Sequence, residues 1–156
     1  MFLDGERVDH PTNRIPPHEM PVWLMTYELN IDVYICAVRF LMDDLQETVM
    51  RSTIDMLETA GTEAAHVQVL RLCGRLRDGV PETDPLLTMV LARVGFLQAL
   101  MWKHAPIETG EFLIANPELA AAMLRETSRR HEIQDKFRNL PAMEVGRHEK
   151  KLSSRV

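Results

Sequence analysis

The chain has little of what usually announces chemistry. Its 156 residues include only two cysteines, Cys36 and Cys73, and no C-x-x-C, H-x-x-x-H, G-x-S-x-G or glycine-rich phosphate loop. The common zinc, serine-hydrolase and nucleotide-binding motifs are therefore absent. Two cysteines are too few for a disulfide framework, and a reducing cytoplasm is the expected setting. No alternating apolar and polar stretch is long enough for a half-buried strand, and there is no internal repeat or low-complexity tract. The N-terminal segment MFLDGERVDHPTNR lacks a basic start followed by an apolar run, so no secretory leader is expected.

Apolar residues make up 46% of the chain and charged residues 26%, which is ordinary for a globular domain and far from the disordered range. A chain of this length can bury roughly two thirds of its unfolded surface in one core. Ten methionines against two tyrosines and two tryptophans favour adaptable helix packing, because Met is flexible and fills irregular gaps.

Local signals divide the chain into helices. Residues 1–18 are polar and proline-rich and read as an N-terminal arm. A first helix is expected from Pro21 to about Met42, and a second through DDLQETVMRSTIDMLETAG, with Glu47 and Arg51 paired four residues apart and Gly61 closing it. A third is expected over 62–77 with His66, Leu70, Cys73 and Leu76 on one stripe. Asp84 before Pro85 is a cap and first-turn pair that opens a fourth helix running to about His104. APIETGEFLIA suggests one or two turns. Asn116 and Pro117 open a long last helix, ending near Leu140 before Pro141. The expectation is an all-α compact bundle of five to six helices, with a single domain over 19–140 and a basic C-terminal tail over 141–156.

The first and fourth helices are apolar nearly all round. On the first, Glu28, Asp32, Arg39 and Asp43 fall within about 60° of one another at 100° per residue, which makes a single charged line on an otherwise apolar, central helix. The segment is long enough to span a membrane, but its charges each oppose insertion by about 2.5 to 3.5 kcal/mol, so no membrane contact is expected. On the fourth, Thr88, Ala92, Gly95 and Ala99 form a small-residue seam that admits a close neighbour, either a helix of the same chain or a second subunit. A small bundle encloses two such helices only with difficulty, so a homodimer is expected. Arg93 stands outside any polar stripe and is a candidate partner for Glu28 and Asp32.

Glu28, Asp32, Arg39, His66 and Arg93 are thus the candidates for an interior polar site, with a small molecule or cofactor as its occupant. Paired carboxylates four residues apart can bind a cation or hold a raised pKa for acid–base work, but they equally form a solvated edge. Glu63 to His66 is an E-x-x-H segment, but a di-iron bundle needs two. His66 and Cys73 lie about 10 Å apart along a helix, too far to share zinc readily. No catalytic residue, cofactor or metal is assigned.

The net charge of −5 is unevenly spread: residues 1–124 hold 9 basic against 18 acidic residues, and residues 125–156 hold 9 against 5. Arg129, Arg130, Lys136 and Arg138 are the candidates for contact with a partner. Glu126, Glu132 and Asp135 are interleaved with them, and Glu126 is spaced to pair with Arg130, which argues against nucleic acid as that partner. The expected function is a non-enzymatic helical protein–protein interaction module, an adaptor, regulator or inhibitor. Its alternatives are a small-molecule-binding bundle, which includes an enzyme, and a nucleic-acid-associated regulator.

Overall fold

A computed structural model of the chain describes the backbone of residues 15–138 and the side chains of residues 15–130. Most of the expected arm, the whole tail, and the side chains of Lys136 and Arg138 lie outside the described residues.

The described residues form an all-α bundle of six helices: α1 Met20–Arg39, α2 Asp43–Ala60, α3 Val67–Gly79, α4 Pro85–His104, α5 Pro106–Ala115 and α6 Pro117–Arg138. Short 3₁₀ turns at Pro17–Glu19 and Gly61–Ala64 precede α1 and α3. Proline starts account for four of the six helices: Pro21 lies in the first turn of α1, and Pro85, Pro106 and Pro117 open α4, α5 and α6. A missing N–H is harmless there, because the first N–H groups of a helix have no internal acceptor.

Two expectations about helix starts change, and the first helix ends at Arg39 rather than near Met42. The third helix starts at Val67 rather than near 62. Gly61 takes φ 58°, the 3₁₀ turn follows, and His66 is extended and caps α3 by accepting the Gln68 N–H at Nδ1, 3.0 Å away. His66 therefore does not join the Leu70, Cys73 and Leu76 stripe, all three of which are buried. Asp84 does cap α4, with Oδ2 accepting the N–H groups of Leu86 and Leu87 at 3.0 and 3.1 Å. The Asn116 side chain turns back instead, and its amide donates to the Phe112 carbonyl at the end of α5, 2.8 Å away.

The central helix is α4, not α1. It contacts α2, α3, α5 and α6 and buries nine of its residues, among them Leu86, Leu87, Val90, Val94 and Met101. By length and composition α4 could cross a membrane, and half of its apolar window is buried inside the bundle. Within the small-residue seam, Gly95 faces α6. A side chain on Gly95 would run into Thr127 Oγ1 and come within 3.1 Å of Met123 Cγ, so the absence of a Cβ is what lets α6 lie against α4. Ala92 is buried, Thr88 partly buried and Ala99 exposed.

The first helix packs on α2 and α3 only along one side, through Tyr27, Ile31, Tyr34 and Ala37. Tyr27 stacks on Trp23 with ring centroids 5.3 Å apart. Among the described residues the side away from the core is open, so α4 is packed by neighbours over more of its surface than α1 is.

Candidate functional site

The open side of α1 is apolar. Val22, Met25, Leu29 and Phe40 are 64%, 70%, 60% and 68% exposed, and Leu41 in the following turn is 82% exposed. Cys36 is exposed on the same side. At 100° per residue, Val22, Met25, Leu29, Cys36 and Phe40 fall within about 60°, so they form one stripe along the helix. Single exposed apolar residues are ordinary, but an aligned series of them is not.

The turn that ends α1 extends the stripe. The Met42 N–H bonds the Ala37 carbonyl at 2.9 Å and the Leu41 N–H bonds that of Val38 at 3.3 Å, a Schellman arrangement with Leu41 at the left-handed position, φ 57°. That position normally belongs to glycine, and a side chain there costs about 1 to 2 kcal/mol. Leucine sits at it with its side chain in solvent.

The charged line of α1 borders this stripe. Arg75 of α3 donates from Nη1 to Glu28 Oε2 at 2.9 Å and to Asp32 Oδ1 at 3.0 Å. These hydrogen bonds, with the charges of both carboxylates, push the Arg75 pKa further up and keep the guanidinium charged. The three side chains are each about half exposed, so the contact is a surface cluster of weak intrinsic stability. Two carboxylates and one guanidinium leave it with one net negative charge. Arg39 lies on the same line one helix end away, exposed and with no ion pair among the described residues.

The other candidates for an interior site are elsewhere. Arg93 does not meet Glu28 or Asp32. It lies 3.7 Å from Glu58 of α2, because α4 faces α2 there while α3 occupies the flank of α1 that bears the acids. Glu58, Arg93 and Arg130 line an open cleft of about 220 Å³ between α2, α4 and α6, with Met89 and Phe96 as apolar wall. His66 serves as a cap, and burial together with nearby Arg71 lowers its pKa. Among the described residues, no three His, Cys, Asp or Glu side chains are grouped to hold a metal ion.

On α6, Glu126 is nearly buried and pairs with Arg129 at 3.5 Å and Arg125 at 3.9 Å, rather than with Arg130 as the spacing suggests. The basic series is therefore partly neutralised within the described residues.

Sequence reasoning missed Arg75 and the open stripe. Arg75 carries no motif, and only the placement of α3 beside α1 brings it to the acids. The stripe has a faint signal in Leu29, Cys36 and Phe40 at near-heptad spacing, but the apolar residues on the opposite side mask it. No family model matches the chain, and neither a curated protein nor a solved structure matches it.

Proposed function

We propose that the chain is a non-enzymatic protein–protein interaction module, an adaptor, regulator or inhibitor of the cytoplasm, and that the outer face of α1 is its contact surface. The observation that carries the reading is the aligned exposed stripe from Val22 to Leu41. Burying such a stripe against another helix removes apolar surface from water at about 25 cal/mol per Å². An amphipathic helix face of this kind is a recurrent mode of protein recognition. The left-handed Leu41 supports the same reading, since local strain kept at an exposed position is a mark of functional surface.

Native mass spectrometry tests it, on the protein isolated from its own cells under mild conditions. The wild-type chain is expected in an assembly heavier than its own 17.9 kDa, and Leu29→Glu is expected to release the free chain without changing its helical content. A wild-type chain found only at its own mass, or an assembly unaffected by Leu29→Glu, overturns the proposal.

A second reading is favoured by the Glu58, Arg93 and Arg130 cleft, whose net positive charge suits a small anion. Its volume of about 220 Å³ falls below the roughly 300 to 1,000 Å³ typical of ligand pockets, so it ranks second.

A further inference from the structure

We infer that the occupant of the α1 face is the same face of a second copy, running antiparallel, with Arg39 of each chain seated on the Glu28, Asp32 and Arg75 cluster of the other. The inference rests on the reading of α1 as a contact surface and adds the partner and its register.

Charge complementarity selects this arrangement. Glu28, Asp32 and Arg39 lie along one edge of the apolar stripe, acidic in the first half of the helix and basic at its end. The other edge, at Thr26 and Val33, carries no charge. When two identical helices pack face to face about a two-fold axis, each edge meets its own copy in reverse. The acidic half of one charged edge then lies against the basic end of the other, twice per dimer. A parallel pair offers no such match, because its two-fold puts the two charged edges on opposite sides of the interface, each against the uncharged edge of the partner. The local cluster is also incomplete in the way the pairing requires: Arg75 neutralises one of two carboxylates, and the remaining charge is balanced by one guanidinium from outside. Arg39 has no ion-pair partner within its own chain among the described residues.

The apolar surface agrees with this register. Pairing Glu28 with Arg39 sets the two-fold between Val33 and Tyr34. The exposed apolar residues run from Val22 to Leu41 and Met42, so their midpoint lies within about half a helical turn of that axis. Met25 of one chain then faces the Leu41–Met42 turn of the other, and the otherwise unexplained exposure of Leu41 becomes an interface contact. The two Cys36 side chains lie about 7.5 Å apart along the axis, on helices about 8 to 10 Å apart.

The test is a charge exchange in the full-length chain, read by sedimentation equilibrium. Arg39→Glu and Glu28→Lys are expected each to weaken self-association about tenfold, since each places like charges together twice. An equimolar mixture of the two variants is expected to recover the wild-type dissociation constant within about threefold, because both contacts of the mixed dimer are again opposite in sign. A short bismaleimide is expected to join wild-type chains through Cys36, an independent readout should Glu28→Lys fold poorly. A wild-type dimer whose variants show no preference for the mixture, or that leaves Cys36 unjoined, overturns the antiparallel register while the contact surface stands. A wild-type assembly that contains a different protein and is lost with Leu29→Glu overturns self-pairing alone. A free monomer under all conditions overturns both.

Discussion

The Tyr34 hydroxyl donates to the carboxylate of Asp84, 2.9 Å from Oδ1 and 3.0 Å from Oδ2, and so fastens the middle of α1 to the start of α4. The same carboxylate caps α4 through Leu86 and Leu87, which makes one buried side chain the joint between the outer helix and the central one. Asp84→Ala removes the cap, worth about 1 kcal/mol, and leaves the buried Tyr34 O–H without its acceptor, worth about 1 to 3 kcal/mol. A loss of about 2 to 4 kcal/mol in urea unfolding is expected. Tyr34→Phe leaves the cap in place and is expected to lose about 1 to 2 kcal/mol. The double variant should lose less than the sum of the two, and strict additivity contradicts the joint.

Alkaline pH should act on the same core. Burial, reinforced by the Asp84 bond, raises the Tyr34 phenol to about 12, and burial likewise raises the Cys73 thiol to about 12. Both groups hold their protons longer in the folded state than in the unfolded one. Their contribution is therefore complete below the unfolded values, near 9 for Cys73 and 10 for Tyr34, and falls as pH rises towards 12. Tyr34→Phe is expected to make stability between pH 10 and 12 less steep in pH, as measured by urea unfolding at fixed pH.

His66 contributes on the acid side in the opposite sense. Burial first, then the positive charge of Arg71, lowers its pKa below 6.5, and its neutral Nδ1 is the acceptor that caps α3. The unfolded chain takes up the proton first, so stability present above pH 6.5 is lost as pH falls towards the lower folded value. His66→Asn keeps a capping acceptor without the titration. The stability of this variant between pH 7 and 5 is expected to vary less than that of wild type.

Gly95→Ala should destabilise although Ala is the better helix former by about 1 kcal/mol. The added carbon collides with Thr127 Oγ1 and crowds Met123, and overpacking of a close helix contact costs about 1 to 3 kcal/mol. Thr127 has little freedom to give way, since its hydroxyl bonds the Met123 carbonyl at 2.8 Å. Thr127→Ala is expected to relieve part of the loss, which thermal melts of the single and double variants would reveal as non-additivity.

Helix starts were legible in the sequence because their physics is local. Asp84 with Pro85, and proline at the first turn of α1 and α6, act through their immediate neighbours. The start of α3 was not legible, since a His cap after a 3₁₀ turn competes with a continuous helical pattern from Thr62 onward. The fate of α1 and α4 was illegible for a different reason. Both are apolar on nearly every side, and only the packing of α2, α3, α5 and α6 around α4 decides that α4 lies at the centre while Val22, Met25 and Leu29 stay in the open. The cation opposite Glu28 and Asp32 follows from the same placement: α3 rather than α4 lies beside them, so Arg75 answers them and Arg93 does not.

Leu41→Gly separates stability from contact. Glycine adopts φ 57° without steric penalty, so the variant is expected to gain about 1 kcal/mol in unfolding. It also removes an apolar side chain from the edge of the stripe, and its self-association is expected to weaken. A variant that gains stability and associates as strongly as wild type contradicts a contact role for Leu41.

Coverage of the outer face of α1 in the working protein is measured directly by the alkylation rate of Cys36. Cys36 lies exposed on the stripe, whereas Cys73 is buried with its thiol raised to about 12, so a single fast-reacting site is expected. Cys36 is expected to react slowly at high protein concentration, faster on dilution, and fastest in Leu29→Glu at every concentration. A rate that is the same in wild type and variant, and unchanged by dilution, would contradict coverage of this face.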